Sequence, residues 1–105
     1  MSDEKIKNIQ EVQFLEQTLQ NFFFQKQAFQ MELTETQSAL KEIENSKEDV
    51  YKLIGQLMIK VSKSEIKEEL LEKEKILNLK IKNLEKQEKS LSEKLEQLRE
   101  QILNK

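Results

Sequence analysis

The stretch VYKLIGQLMIKVS, Val50 to Ser62, interrupts a chain otherwise built from helix formers. Val50 to Ile54 and Leu57 to Val61 are apolar, partly β-branched runs of the kind that form strands. Between them stand Gly55, the one glycine of the chain, and Gln56. A two-residue connection with Gly at its first central position suits a type II′ turn, whose twist matches that of the strands it joins. The stretch therefore predicts a β-hairpin over 50–61. In the implied register Val50 opposes Val61, Lys52 opposes Ile59 and Ile54 opposes Leu57 on one face, while Tyr51 with Lys60 and Leu53 with Met58 make the other.

Both faces are largely apolar, and an isolated two-stranded hairpin is marginal in water and leaves two unpaired edges. Such an element needs partners. The economical solution is for several chains to pair their hairpins edge to edge into a closed or nearly closed β-body. Val50, Tyr51, Leu53, Ile54, Gly55, Leu57, Met58, Ile59 and Val61 then form the assembly element. The alternative is a hairpin folded down onto its own helices, which covers one face only.

Outward from the hairpin the chain reads as two long helices. Ser2 is a candidate N-cap, with Asp3 and Glu4 acidic in the first turn, and the first helix runs over 1–45 until NSKED, Asn45 to Asp49, ends it. The second starts at Ser62, where Ser62-Lys63-Ser64-Glu65 fits a capping box, and nothing breaks it over 62–105. No Pro and a single Gly in 105 residues, with 36% of them charged, fit a long-helix composition within one domain. At 1.5 Å per residue each helix would be about 60 Å long.

Heptads run through both helices. Val12, Leu15, Leu19, Phe22, Phe29, Leu33, Leu40 and Ile43 fall on alternating three and four spacing, with Lys26 and Thr36 filling the gaps. In the second helix Leu70, Leu77, Leu84, Leu91 and Leu98 recur every seven, and Ile81, Leu95 and Ile102 supply the other seam position. The short connection implies an antiparallel two-helix coiled coil. If Leu40 faces Leu70, then Leu33 faces Leu77, Phe29 faces Ile81, Leu19 faces Leu91, Leu15 faces Leu95 and Val12 faces Leu98. The polar interruptions then fall into layers of Thr36 with Glu74, Lys26 with Leu84, and Phe22 with Glu88. Lys26 and Glu88 sit in adjoining layers, close enough to pair at the seam's edge and help fix the register. A parallel homodimer would leave the middle segment unexplained.

Several function classes recede. Formal net charge is −2 with Lys and Glu interleaved, so there is no basic footprint for nucleic acid. No apolar run of about 18 residues and no signal-peptide pattern is present, which predicts a cytoplasmic protein. With no His, no Cys and no Gly-rich phosphate loop, no catalytic residue, cofactor or metal is expected. The abundant carboxylates alternate with Lys, and Glu69 with Lys73 and Glu85 with Lys89 have the four-residue spacing of helix-supporting pairs.

The order of helix, single hairpin reading Val50-Tyr51-Lys52-Leu53-Ile54-Gly55 then Leu57-Met58-Ile59-Lys60, and Glu, Lys and Leu-rich helix resembles β-type, archaeal-like subunits of the prefoldin family over essentially the whole chain. The longer α-type subunits carry two hairpins. The resemblance implies a hetero-hexamer of two α-type and four β-type subunits, with a double β-barrel body and six coiled-coil arms. It also implies an ATP-independent chaperone that holds unfolded proteins and passes them to a group II chaperonin. Off-seam apolar residues are the candidates for client contact: Ile6, Ile9, Phe14 and Leu103 toward the free ends, and Phe23 and Phe24 further in. Ile66, Leu71, Ile76 and Leu79 lie nearer the hairpin, where a neighbouring subunit would cover them. The rival reading is a structural coiled-coil spacer or tether that binds one folded partner.

Overall fold

A computed structural model describes residues 2–104. Its elements follow as α1 (Asp3–Asn45), β1 (Val50–Ile54), β2 (Leu57–Val61) and α2 (Lys63–Leu103). Ser2 caps α1: its hydroxyl accepts from the Lys5 backbone N–H at 3.3 Å, with Asp3 and Glu4 in the first turn toward the positive end of the dipole. At α2 only half of the expected capping box is present. The Glu65 N–H donates to the Ser62 hydroxyl over a long 3.5 Å, and among the described residues no return bond from the Glu65 carboxylate is found. Between α1 and β1 the chain turns through Ser46 to Asp49. There the Ser46 hydroxyl accepts from the Glu48 N–H, and its carbonyl accepts from Lys63 Nζ at 2.6 Å.

The chain divides into two compact units. One comprises Met1–Ala28 with Ile81–Lys105, the other Phe29–Lys80. In the first unit the heptad positions are covered: Leu15, Ile81, Leu84 and Leu95 are buried, and Val12, Leu19, Phe22, Leu91, Leu98 and Ile102 are half-buried. Lys26 Nζ lies 2.9 Å from Glu88 Oε1, the pair expected at the seam's edge. The hydrogen bond to Glu88 holds the Lys26 ammonium above the usual lysine pKa. Burial opposes this, and the charges of Glu88 and Glu85 add to it. Arg99 to Glu16 at 2.7 Å and Lys94 to Glu11 at 3.3 Å flank the same seam.

In the second unit Leu40 and Leu77 are buried, with Phe29, Leu33, Ile43, Leu70 and Glu74 half-buried around them. Thr36, only 3% exposed, donates its hydroxyl to the Glu32 carbonyl at 2.8 Å, so its own helix satisfies it without help from Glu74. Lys80 Nζ sits 5.3 Å from the centre of the Phe29 ring, within cation–π range. The helix-supporting pair expected between Glu69 and Lys73 is replaced by links between elements. Glu69 pairs with Lys52 of β1 at 3.4 Å, and Lys73 of α2 pairs with Glu32 of α1 at 3.1 Å. Exposed pairs of this kind each add about 0–1 kcal/mol, so the apolar seam carries most of the helix pairing.

β1 and β2 pair antiparallel with Val50 opposite Val61, Tyr51 opposite Lys60, Lys52 opposite Ile59, Leu53 opposite Met58 and Ile54 opposite Leu57. Gly55 has a φ of 60°, and no described non-glycine residue has a positive φ. Gln56 is thus outside the left-handed region, which excludes type I′ and leaves the II′ arrangement. None of the described helices is long and apolar enough to cross a membrane.

Candidate functional site

The hairpin residues from 51 to 60 are all exposed, which leaves the two faces of the ribbon open. Leu53, Leu57 and Met58 are the barest, and Tyr51, Ile54 and Ile59 follow. The hairpin is not folded down onto the helices. Apolar contact lies at its root, where Val50 and Val61 are half-buried and a groove of about 360 Å³ is lined by Ala39, Ile43, Val50, Tyr51, Ile66 and Leu70; further out, only the exposed Lys52–Glu69 pair links the ribbon to a helix among the described residues. At the root Lys60 pairs with Asp49 at 3.3 Å. A monomeric protein rarely exposes six large apolar side chains on one short ribbon, and such concentrations mark interaction surfaces. The two outer strand edges add unpaired N–H and C=O groups, a template for further strands.

A second group of exposed apolar residues lies on the helices. In the first unit Phe14, Phe23 and Phe24 of α1 are exposed, as are Ile6 and Leu103 near the ends. Ile9 differs from the others: it flanks Val12 and is half-buried. The Phe23 and Phe24 rings meet edge to face, with centroids 5.9 Å apart and planes at 60°. Phe22, their neighbour, turns into the seam and is half-buried, so the three consecutive rings divide into one covered and two exposed. In the second unit Leu71, Ile76 and Leu79 are exposed and Ile66 is half-buried at the hairpin root. Met31, 68% exposed, is an outward apolar residue that heptad counting passed over.

The surfaces offer apolar contact and backbone hydrogen bonding, and the described residues contain no cluster of carboxylates that could hold a metal ion.

Comparison with known proteins agrees with this geometry. The family model for prefoldin subunits matches residues 6–105. Prefoldin subunit beta of Thermococcus onnurineus is 45% identical over 89 residues, covering 83% of this chain and 77% of that protein. The corresponding protein of Thermococcus kodakarensis is 46% identical over 89 residues, with 83% and 76% covered. Among solved structures, the prefoldin beta subunit from Thermococcus strain KS-1 superposes with a TM-score of 0.89 at 38% identity, covering 98% of this chain and 92% of that one. The beta2 subunit of the same strain shares the fold at a TM-score of 0.73 and 22% identity, over 83% of this chain and 95% of that one. Prefoldin subunits are components of a chaperone and assemble with one another. With its match to the family along nearly its whole length and its single hairpin, the chain belongs to the prefoldin subunit family as a β-type member.

Proposed function

We propose that the chain is an ATP-independent holdase subunit, joined through its hairpin to α-type and further β-type subunits in a hetero-hexamer. Its coiled-coil arms bind unfolded polypeptides in the cytoplasm and pass them to a group II chaperonin. The observation that carries this reading is the contrast between a closed helical seam and a hairpin whose two faces are open. Pairing hairpins between subunits covers apolar side chains and strand edges together, whereas folding the ribbon down onto its own helices would cover one face only. Several arms held on one body then grip a client by many weak contacts, with avidity in place of one strong site. Ile6, Phe14, Phe23, Phe24 and Leu103 are the residues proposed to touch clients, with Ile9 contributing from a more covered position.

The test is to mix the purified chain with an α-type prefoldin subunit, establish the oligomer by native mass spectrometry, and measure suppression of aggregation for unrelated denatured proteins. The expected result is a hexamer that suppresses aggregation without nucleotide and releases clients to a group II chaperonin. An assembly that leaves all of them to aggregate, while holding one folded protein tightly, would establish the tethering role instead.

A further inference from the structure

In the first unit, the outward side of α1 from Phe14 to Gln27 differs in chemistry from the rest of the helical surface. Phe24 has Gln17 seven positions before it, Gln20 four before and Gln27 three after, and Phe23 shares Gln20 and Gln27 as neighbours. All of these side chains are exposed. Between Glu16 and Glu32 the one charged residue is Lys26, which is held in the seam by Glu88 at 2.9 Å. Glu16 itself is engaged by Arg99 at 2.7 Å. A ligand lying on this side therefore meets aromatic rings and amides, and no charge without a counter-ion. The solvent side of α2 in the same unit carries both Lys and Glu, as in Lys82, Glu85, Lys86, Lys89 and Glu93.

We propose that this side of α1 selects uncharged segments of unfolded polypeptide, the rings taking apolar side chains and the amides taking peptide groups. The inference rests on the holdase reading and specifies which clients that surface takes. An unfolded chain carries a donor and an acceptor at almost every residue, and each Gln amide supplies two donors and a carbonyl acceptor. Among the described residues the side-chain amides of Gln17, Gln20 and Gln27 have no hydrogen-bond partner within the chain, so they are free to make these bonds. A client Lys or Asp laid on the same surface loses water and finds no opposite charge to replace it. A second copy of α1 is a poorer occupant, because Phe14 and the Phe23–Phe24 pair are separated by polar residues. They do not recur at the three and four spacing that interlocking helices require.

The experiment uses the full chain assembled with its α-type partner and fluorescent peptides of matched length. One peptide is uncharged and built from Phe, Leu, Asn and Ser; in the others every third residue is Lys or Asp. The uncharged peptide should bind at least about tenfold more tightly than either charged one, with an affinity that changes less than about twofold between low and high salt. Phe24→Ser should weaken it about threefold, the share expected of one weak contact among many. In the Gln20→Lys, Gln27→Lys double variant the preference should shift toward the Asp peptide. Equal binding of all three peptides, a steep salt dependence, or selectivity unchanged in the double variant would overturn the inference while aggregation suppression stays intact. Loss of the native oligomer in the double variant, with its helix content retained, would assign the surface to a subunit contact and overturn the inference as well. If the unmodified assembly suppresses no aggregation, the holdase reading fails with it.

Discussion

Leu95 on α2 and Met58 on β2 are unbranched at Cβ and similar in size, yet one is 6% exposed and the other 70%. The difference lies in what surrounds each. On a helix, three and four spacing gathers the apolar side chains of one stripe, and an antiparallel neighbour from the same chain closes it. On a two-stranded ribbon alternation sends side chains to both faces, and no second layer is present to cover either. The chain thus covers its helical stripe by itself and leaves both faces of its β element open. Under the proposed assembly, stability and association are carried by separate sets of residues.

That separation can be broken deliberately. Ile59→Asp places a charge where assembled hairpins would bury it without a partner, at a cost of several kcal/mol. Native mass spectrometry should show the oligomer lost while circular dichroism shows the helices retained; simultaneous loss of helix would mean that the two regions fold as one. Leu15→Ala, at a position 4% exposed, should remove about 2–5 kcal/mol of stability, read by denaturant unfolding of the isolated chain. Gly55→Val tests the turn. A Cβ there meets nothing within 4 Å, so the strain comes from the φ of 60° and should destabilise by more than about 1 kcal/mol. Equal melting temperatures would show that the turn tolerates a β-branched residue.

The smallest effect concerns Lys26. Because its pKa is raised in the folded chain, its contribution is fully present below the ordinary lysine pKa of about 10.5 and is lost only as pH rises through the folded value. Melting followed from neutral to strongly alkaline pH should show a late decline that is reduced in Lys26→Met. A decline of the same size in both would remove Lys26 from the account.

The hairpin register was legible down to each of its five pairs, because one glycine in a short apolar segment leaves little choice of turn. The seam positions were equally readable, each of them being buried or half-buried, and so was the Lys26–Glu88 pair, since heptads around a short connection favour one antiparallel alignment. What escaped was the partnering of surface charges. Glu69 and Lys73 have the spacing of a pair along one helix, but each is drawn to another element, Glu69 to Lys52 and Lys73 to Glu32. Spacing on one helix says nothing of the charges opposite it. Ile9 likewise looked open by heptad position and is half-covered, because Lys5 and Asn8 continue the stripe beside it with polar side chains that counting apolar residues ignores.

If the hairpin assembles as proposed, Met58 would also give the chain a chemical record of its own assembly state. A thioether in open water is oxidised to the sulfoxide far more readily than one enclosed by neighbouring side chains. In the isolated chain Met58 and Met31 are almost equally bare, at 70% and 68% exposed, so peroxide should modify both at similar rates. Once hairpins from several subunits close around β2, Met58 should become resistant while Met31, on the solvent side of α1, keeps reacting. Peptide mapping after a brief oxidant pulse would then report the fraction of free subunits directly. A sulfoxide formed at Met58 before assembly would put a polar group into the β-body, so oxidative damage would selectively remove the unassembled chains from the pool able to associate.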